Sequence, residues 1–408
     1  MPGTKGVSMT LTPGRYESWR QWQSVIYGVD AGATLITEIE RAGAQRVGVL
    51  TTPSLVREKT ALASVVDALG DRWVGTFGEC RQYVPRGVVM EASAVLRAWA
   101  PDLLLSVGGG SVVDTAKGVA MTLCEGLESA DQLDAYRATS GRGSMEHPSL
   151  SGEPLPIFSF PTTLSGAEYT GMIGITNPAN GHREPFRDDR LSPRTVFLDP
   201  SVTLATPHEL WCATGIKILS DAFEQYSTGM AGPVMEPLTL RAFDWLIRYL
   251  PDSTRGDIDA RLRCQVASWL TLSGVFNAGT KVGIGAAIRH QLGMLHAIPH
   301  GLATCGILRE VVRASAPSDL ERRQALLRAA RADAPPGDEA KQREALASVL
   351  QALLRGLDLP TNLADLGLGE GDLDLLADRA AGDFAAKARS ARVWTPAEVR
   401  VLLGRALR

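Results

Sequence analysis

The 408-residue sequence predicts two domains of different fold class, a doubly wound α/β domain over residues 1–205 and an all-helical domain over residues 206–408. Up to about residue 200, short apolar runs alternate with amphipathic segments of about 10 to 15 residues, which is typical of parallel strands joined by helices. From Pro207 onward the strand patterns stop and only helical periodicity remains.

The elements of the first domain follow from this alternation. Residues 1–20 are polar and rich in Gly and Pro, and we expect a loose arm there. Strands are predicted at 24–27, 46–52, 73–77, 103–107, from 155 and at 195–198, and helices at 31–42, 55–69 and 87–98. Residues 125–154 carry many Gly, Ser, Pro and charged residues and predict a surface excursion.

The second domain is predicted from helical segments at 235–250, 258–272, 322–332 and 338–354. Its last helix has a clear start signal, with Thr395 as N-cap, Pro396 at the first helical position and Glu398 three residues after the cap.

The stretch from Leu103 to Ala120 predicts an anion site. A buried strand runs into three consecutive glycines, and a helix follows with Ser111 as the expected N-cap and Asp114 in the capping-box position. The N–H groups of a helix's first turn favour a bound anion. We therefore interpret residues 108–111 as a phosphate-binding turn; a tight turn that binds no ligand is the alternative.

Other candidate ligand contacts lie on the same rim of the predicted sheet, because ligands of such sheets bind beyond the carboxyl ends of the strands. Thr51 and Thr52 follow Leu50 at the end of the second strand, where a carboxylate would favour NAD over NADP. Since a hydroxyl does not repel the 2′-phosphate of NADP, the sequence is compatible with either NAD or NADP. Thr51 and Thr52 could also simply end the strand.

Composition excludes several function classes. A net charge of −3 and a pI near 6.1 give no electrostatic footprint for nucleic acid. Five scattered cysteines without a Cys-x-x-Cys motif, no signal peptide and no apolar run of about 20 residues predict a reduced, cytoplasmic protein without a membrane partner. We expect a small molecule as its ligand.

Two motifs carry a family resemblance. GGGSVVDTAKGVAM, from residue 108, resembles the Gly-Gly-Gly-Ser-x-x-Asp-x-x-Lys signature of the iron-containing alcohol dehydrogenases and maleylacetate reductases, a superfamily with a dehydroquinate synthase-like, Rossmann-like fold. PTTLSGAEYT, residues 161–170, is similar to the hydroxyl-rich loop of maleylacetate reductases. The resemblance implies a homodimer that binds NAD or NADP through Gly108, Gly109, Gly110, Ser111, Asp114, Lys117, Thr51, Thr162, Thr163 and Ser165.

The same resemblance implies where a metal would lie. Most members of that family hold a divalent ion with an Asp, a His four residues later, and two more histidines fourteen residues apart. The matching blocks, residues 213–226 and 285–301, place Lys217, Asp221, Ala286 and His300 at these positions. Because Ala286 has no donor atom and Lys217 is a cation, too few ligands remain for a catalytic metal, and we predict that none is bound.

Lys217 suggests a replacement for that metal. It is one of only seven lysines, against thirty-five arginines, and it precedes Asp221 by four residues, on the same face of a helix. Our hypothesis is that its ammonium stabilises the developing alkoxide, that Asp221 orients it, and that His290, or else His300, supplies a proton. An ordinary i,i+4 ion pair is the alternative.

The sequence is therefore compatible with three candidate functions. The first is a metal-independent, NAD(P)H-dependent reductase of a carbonyl on a small polar metabolite. The second is a non-redox lyase, isomerase or cyclase that retains the nucleotide site, with Lys217 able to form a Schiff base if burial lowers its pKa. The third, a nucleotide-binding protein without catalysis, is disfavoured by the joint presence of the glycine turn, the hydroxyl-rich loop and His290.

Overall fold

A seven-stranded sheet forms the centre of the first domain. The computed structural model describes residues 14–18, 23–28, 31–58, 60–140, 145–229, 232–277, 283–317, 319–334, 337–387 and 393–408. The strands of the sheet are β1 (Gly14–Ser18), β2 (Gln23–Tyr27), β3 (Val47–Leu50), β4 (Trp73–Phe77), β5 (Leu103–Gly108), β8 (Ile157–Pro161) and β11 (Thr195–Leu198). Between them lie two antiparallel strand pairs, β6 (Thr139–Ser140) with β7 (Met145–Glu146) and β9 (Met172–Thr176) with β10 (Arg183–Arg187).

Fourteen helices are found in the described residues. Five belong to the sheet domain: α1 (Ala31–Ala42), α2 (Pro53–Glu58), α3 (Thr60–Leu69), α4 (Arg86–Trp99) and α5 (Gly110–Cys124). Nine follow the sheet: α6 (His208–Ser227), α7 (Gly232–Ser253), α8 (Ile258–Asn277), α9 (Ile284–His296), α10 (His300–Ser315), α11 (Leu320–Ala330), α12 (Glu339–Gly356), α13 (Leu373–Lys387) and α14 (Pro396–Ala406). The predicted change from α/β to all-helical structure is confirmed.

The central strand β5 shows why the sheet is doubly wound. Its side chains alternate between the two faces, so that Leu103 and Leu105 pack with α1 and α3 while Leu104 packs with α4 and α5. All three leucines are fully buried. Helices cover both faces, and a strand covered on both faces has the continuous apolar sequence that identified it.

The strand order indicates which edge of the sheet binds the ligand. It reads β1-β2-β11-β8-β5-β3-β4, with every neighbouring pair parallel except β1 and β2. The connections leave β3 and β5 in opposite directions, toward β4 and toward β8, so the topological switch point lies between these two neighbours. The turns after β3 and β5 therefore share the rim on which open α/β sheets bind ligands, as the sequence predicted.

Several predicted elements need correction. Residues 14–18 form an antiparallel edge strand on β2 and not part of a loose arm; residues 1–13, 19 and 20 lie outside the described residues. The predicted helix at 55–69 is two helices, and the first begins at Pro53 because a fixed φ suits the first helical position. The hairpin of β9 and β10 was not predicted, and the predicted surface excursion contains the short β6–β7 pair.

The helical domain confirms the predicted capping signal at its C-terminal end. The Thr395 side chain accepts a hydrogen bond from the Glu398 N–H, and Glu398 accepts one from the Thr395 N–H at 2.8 Å. None of the described helices is long and apolar enough to cross a membrane. All five cysteines are free thiols.

Candidate active site

The glycine turn has the geometry of an anion site. Helix α5 begins at Gly110 with Gly109 as its N-cap, and no side chain caps it. Ser111 lies inside the first turn, so the prediction that it is the N-cap was wrong. The preceding Gly108 has a φ of +156°, and a Cβ there would come within 2.5 Å of Val112 Cγ2, so the sharp turn into the helix depends on this glycine. The first N–H groups of α5 are left for an anion.

The hydroxyl-rich loop lies directly on this turn. A Cβ added at Gly109 would come within 2.9 Å of Thr163 Cγ2, and one at Gly110 within 2.8 Å of Ser165 Oγ. Thr162 and Thr163 are buried, whereas Ser165 is partly exposed and accepts a hydrogen bond from Thr163 Oγ1 at 3.2 Å. The structure thus brings the two predicted cofactor segments together, with Ser165 as the accessible hydroxyl.

Lys117, together with Asp114, connects the hydroxyl-rich loop to helix α5. The Lys117 ammonium is fully buried and donates to the carbonyls of Ala167 at 2.7 Å and Met172 at 2.9 Å, and to Asp114 at 3.3 Å. These three acceptors use all its hydrogens, so the prediction that Lys117 contacts the cofactor needs correction: it ties the loop to α5. Asp114 also pairs with Arg183 at 2.9 Å and does not form the predicted capping box.

Thr51 is likewise a structural residue. Its side chain is fully buried and its hydroxyl donates to the Val107 carbonyl at 2.8 Å, joining β3 to β5. The predicted contact of the Thr51 hydroxyl with a cofactor is therefore corrected, because this hydroxyl does not reach the rim. Thr52 is half-buried, and its hydroxyl contacts the Ser54 hydroxyl at 2.9 Å.

A cluster of opposite charges occupies the junction of the two domains. Lys217 Nζ lies 3.1 Å from Asp221 Oδ2 and donates to the Ser165 carbonyl at 3.3 Å, so it links α6 to the hydroxyl-rich loop. Arg289 Nη1 on α9 lies 2.6 Å from the other Asp221 oxygen. Asp221 is thus held between two cations, and we call these three residues the charge cluster.

Burial controls the electrostatics of the charge cluster. Burial lowers the pKa of Lys217, an effect that Asp221 partly offsets. Burial opposes ionisation of Asp221, but Arg289 and Lys217 outweigh it and hold the pKa of that carboxyl below its usual value. Lys217 keeps 17% of its side chain exposed, so its ammonium can be approached, whereas Asp221 keeps only 2%.

Two further carboxyl groups lie close by in the interior. Burial raises the pKa of Glu168, in the hydroxyl-rich loop, to about 7, and burial likewise raises the pKa of Glu224, on α6, to about 7. Glu224 Oε1 accepts the Gly285 N–H at 2.8 Å and so holds the start of α9. Within the described residues, neither glutamate makes an ion pair with Lys217 or Arg289 at contact distance.

The two predicted catalytic histidines lie side by side, with ring centroids 6.3 Å apart. His290 Nδ1 is 2.5 Å from Asp383 Oδ2 on α13, and 41% of the His290 side chain is exposed. Burial lowers the pKa of His300 well below its usual value, and the positive charges of Arg183, Arg289 and Lys217 add to this. His300 is thus neutral near pH 7, which favours His290 as the proton donor.

The residues present do not fit the metal that the family resemblance implies. Ala286 offers no donor, and Lys217 places an ammonium next to Asp221. Over the described part of the chain, no group of three or more His, Cys, Asp or Glu side chains converges as a metal site would require.

The sequence motifs did not identify Arg289 and Asp383 as site residues. Arg289 directly precedes His290, and a charged residue at a position next to a motif histidine was an available signal. Asp383 carried no signal, because it lies 93 residues from its partner on a separate helix. Only the packing of α13 on α9 brings it into the site.

This fold and this site define an oxidoreductase class, and the chain belongs to the iron-containing alcohol dehydrogenase family. Residues 23–200 match the family model for iron-containing alcohol dehydrogenase, and residues 211–407 match the C-terminal model of the Fe-containing alcohol dehydrogenase family.

Its relatives include reductases and dehydrogenases. The chain is 28% identical to the lactaldehyde reductase of Escherichia coli (strain K12) over 88% of this chain and 91% of that protein. It is 29% identical to the maleylacetate reductase of Burkholderia cepacia over 87% and 88%, respectively. The structure of an alcohol dehydrogenase from Oenococcus oeni, 22% identical, superposes with a TM-score of 0.80 over 94% of this chain and 97% of that chain, which shows the shared fold.

Proposed function

We propose that this protein is a metal-independent, NAD(P)H-dependent reductase that acts on a carbonyl group of a small polar metabolite at the junction of its two domains. The observation that carries the proposal is the contact of Lys217 with Asp221 at the position where the family resemblance implies a metal. The relatives named above support reduction as the reaction class.

The charge cluster can do the electrostatic work of a metal ion. Lys217 and Arg289 contribute two positive charges and Asp221 one negative charge, which leaves a net charge of +1. A divalent ion held by one carboxylate has the same net charge. The Lys217 ammonium, donating to the substrate oxygen, would stabilise the alkoxide that develops there, and a donor in a largely buried site is worth more than in water.

His290 would supply the proton. A carboxylate oxygen can only accept, so the His290 Nδ1–H donates to Asp383 and the ring orientation is set. In the doubly protonated ring, Nε2 carries the proton that neutralises the alkoxide. His300 lies beside it as a neutral imidazole.

The cofactor site fits a dinucleotide. The uncapped start of α5 would hold the pyrophosphate, and Ser165 lies above it with an accessible hydroxyl. When bound, NADH or NADPH would supply the hydride. No acidic residue directly follows β3, where Thr52 is half-buried and Ser54 is exposed, so we propose that NADPH is accepted as well as NADH.

A binding titration with metal analysis tests the proposal. The purified protein is treated with a chelator and titrated with NADH and with NADPH while cofactor fluorescence is followed, and Fe and Zn are measured on the same sample before and after chelation. Tight binding of either cofactor without stoichiometric metal is expected. Stoichiometric metal before chelation, or no cofactor binding, would contradict the proposal.

One observation favours a second candidate, a non-redox lyase, isomerase or cyclase that works through a Schiff base on Lys217. Burial lowers the pKa of Lys217, and a neutral amine is the nucleophile that forms a Schiff base. The ion pair with Asp221 acts against this, because it favours the ammonium. Borohydride treatment with a carbonyl compound separates the two candidates, since only the second predicts a covalent adduct on Lys217 by peptide mass analysis.

A further inference from the structure

The loop between β4 and α4 contains two consecutive residues in a left-handed backbone conformation. Tyr83 has a φ of +65° and Val84 a φ of +51°, although neither is a glycine. A β-branched residue such as Val84 rarely adopts this conformation, and such strain persists only where the surrounding structure enforces it. Strained residues of this kind cluster at ligand clamps and switch regions. The loop is therefore a candidate for a function beyond the connection of two elements.

Strand β9 and the core of the sheet domain hold this loop in place. The Thr176 hydroxyl donates to the Tyr83 carbonyl at 2.6 Å, and the Thr176 N–H donates to the Val84 carbonyl at 2.9 Å. The Val84 side chain is fully buried in the apolar cluster of α4 and α5. These contacts fix the backbone from which the Tyr83 side chain extends.

The Tyr83 side chain reaches the helical domain. Its hydroxyl donates to the Ala297 carbonyl at 2.7 Å, across 214 positions of the chain. Ala297 is the C-cap of α9 and has a left-handed φ of +53°. Because the carbonyl groups at the end of a helix have no partner within the helix, the tyrosine supplies one from the other domain. Burial raises the pKa of Tyr83, so its hydroxyl stays protonated and acts as a donor near pH 7.

The carbonyl that Tyr83 binds lies between the two predicted catalytic histidines in the chain. Helix α9 carries His290, and α10 begins with His300, three residues after Ala297. The positive charge of Arg183 acts on both the Tyr83 hydroxyl and the His300 ring, so both groups lie near this arginine. The hydrogen bond from Tyr83 to Ala297 is thus at the edge of the active site.

Other hydrogen bonds join the two domains elsewhere on the rim of the sheet. The Thr206 hydroxyl donates to the Thr162 carbonyl at 2.7 Å, and the Ser268 hydroxyl donates to the Leu164 carbonyl at 3.2 Å. These carbonyls follow β8, whereas the Tyr83 loop follows β4, and β5 and β3 lie between the two strands. At about 4.8 Å per neighbouring strand, β8 and β4 are roughly 14 Å apart. The glycine turn after β5 lies between the two sets of contacts.

We propose that the hydrogen bond from Tyr83 to Ala297 is a latch, which holds the two domains together over the bound dinucleotide and thereby slows its release. This inference rests on the proposed function, because that function places NADH or NADPH on the glycine turn. The contacts after β8 keep the domains joined on one side of the cofactor, and the latch must break before the cleft opens on the other side. Tyr83 is a positioning residue in this role and takes no part in the chemical step.

The rate of cofactor release tests the latch. Bound NADH or NADPH is displaced by an excess of the oxidised cofactor while its fluorescence is followed by stopped flow. Tyr83→Phe keeps the ring and removes the hydroxyl, and we expect it to raise the dissociation rate about 2- to 10-fold, the range for one net hydrogen bond. The matched control is Tyr136→Phe, which removes a hydroxyl that donates to Glu125 at 2.7 Å in the surface excursion and should leave the rate unchanged. Equal dissociation rates in Tyr83→Phe and the wild type would overturn the inference.

A double-mutant cycle shows whether the strained turn acts through the Tyr83 hydroxyl. Thr176→Val removes the hydroxyl that holds the Tyr83 carbonyl and keeps the volume of the side chain. We expect Thr176→Val to raise the dissociation rate as well, and the variant with both substitutions to release the cofactor no faster than Tyr83→Phe alone. Independent, multiplying effects of the two substitutions would contradict the inference.

Hydrogen–deuterium exchange of the cofactor-free protein separates the latch from the proposed function. In Tyr83→Phe the amides of residues 297–303 are expected to exchange faster than in the wild type, while those of residues 158–165 keep their rates. This pattern supports the latch even if neither cofactor binds, a result that would contradict only the proposed function. Unchanged exchange of residues 297–303 would refute the latch.

Discussion

Replacing Lys217 by Met is the sharpest test of the charge cluster, because Met keeps the volume of the stem and removes only the ammonium. The perturbation deletes the proposed donor to the substrate oxygen and its contacts with Asp221 at 3.1 Å and the Ser165 carbonyl at 3.3 Å. Loss of one such donor typically costs about 10²- to 10³-fold in kcat, or roughly 3–4 kcal/mol. We expect a loss of this size in the rate of carbonyl reduction.

The structure predicts a much smaller effect on stability. Breaking a buried ion pair costs roughly 3–5 kcal/mol when one charge is left alone. Asp221 is not left alone here, since Arg289 stays 2.6 Å from it, and Met removes the cost of burying an ammonium. We therefore expect a change below about 2 kcal/mol, which shifts the Tm of a domain of about 200 residues by less than roughly 8 °C.

The assay follows NAD(P)H oxidation in chelator-treated protein with the fastest carbonyl substrate, together with thermal unfolding and cofactor titration. Because burial lowers the pKa of Lys217, the wild-type kcat is also expected to fall as the pH rises through this lowered value, and Lys217→Met should lack that decline. Lys341→Met is the matched control, since the Lys341 side chain is 69% exposed on α12. Full reductase activity in Lys217→Met would refute the role of Lys217 as donor to the substrate oxygen.

Three further outcomes are expected. Asp383→Asn removes the carboxylate that orients His290. We expect kcat to fall about 10- to 100-fold and its pH dependence to change, while the cofactor affinity stays the same. An unchanged pH dependence of kcat would contradict the role of Asp383 in orienting His290. Glu224→Gln keeps the acceptor for the Gly285 N–H but cannot ionise. The wild-type carboxyl, with a pKa raised from 4.5 to about 7, contributes stability that is complete below about pH 4.5 and is lost as the pH rises through about 7. The Tm of the variant should therefore rise relative to that of the wild type between pH 5 and 8, by the equivalent of up to about 3 kcal/mol, and a constant Tm difference would contradict this. Thr395→Ala removes the N-cap of α14 and should cost about 1 kcal/mol in denaturant unfolding, whereas Thr395→Ser should cost little.

The periods of the apolar residues predict the two-domain architecture, because they are local properties of strands and helices. The helix from Ala31 to Ala42 and the strand from Trp73 to Phe77 have the predicted bounds. The sequence also placed the glycine turn on the same rim as Thr51 and Thr52, because the carboxyl ends of parallel strands lie at one edge of a sheet. The pairing of Lys217 with Asp221 followed from their spacing on one helix.

The contacts of each polar side chain depend on how the helices and strands pack. Thr51 and Lys117 belong to motifs that suggest ligand contact, but packing buries both and gives their donors to backbone carbonyls. Arg289 contacts Asp221, and Asp383 contacts His290, only because α9 packs against α6 and α13. The physical reason is that a hydrogen bond or ion pair depends on distances of about 3 Å between residues that are tens of positions apart in the chain, which no local pattern encodes.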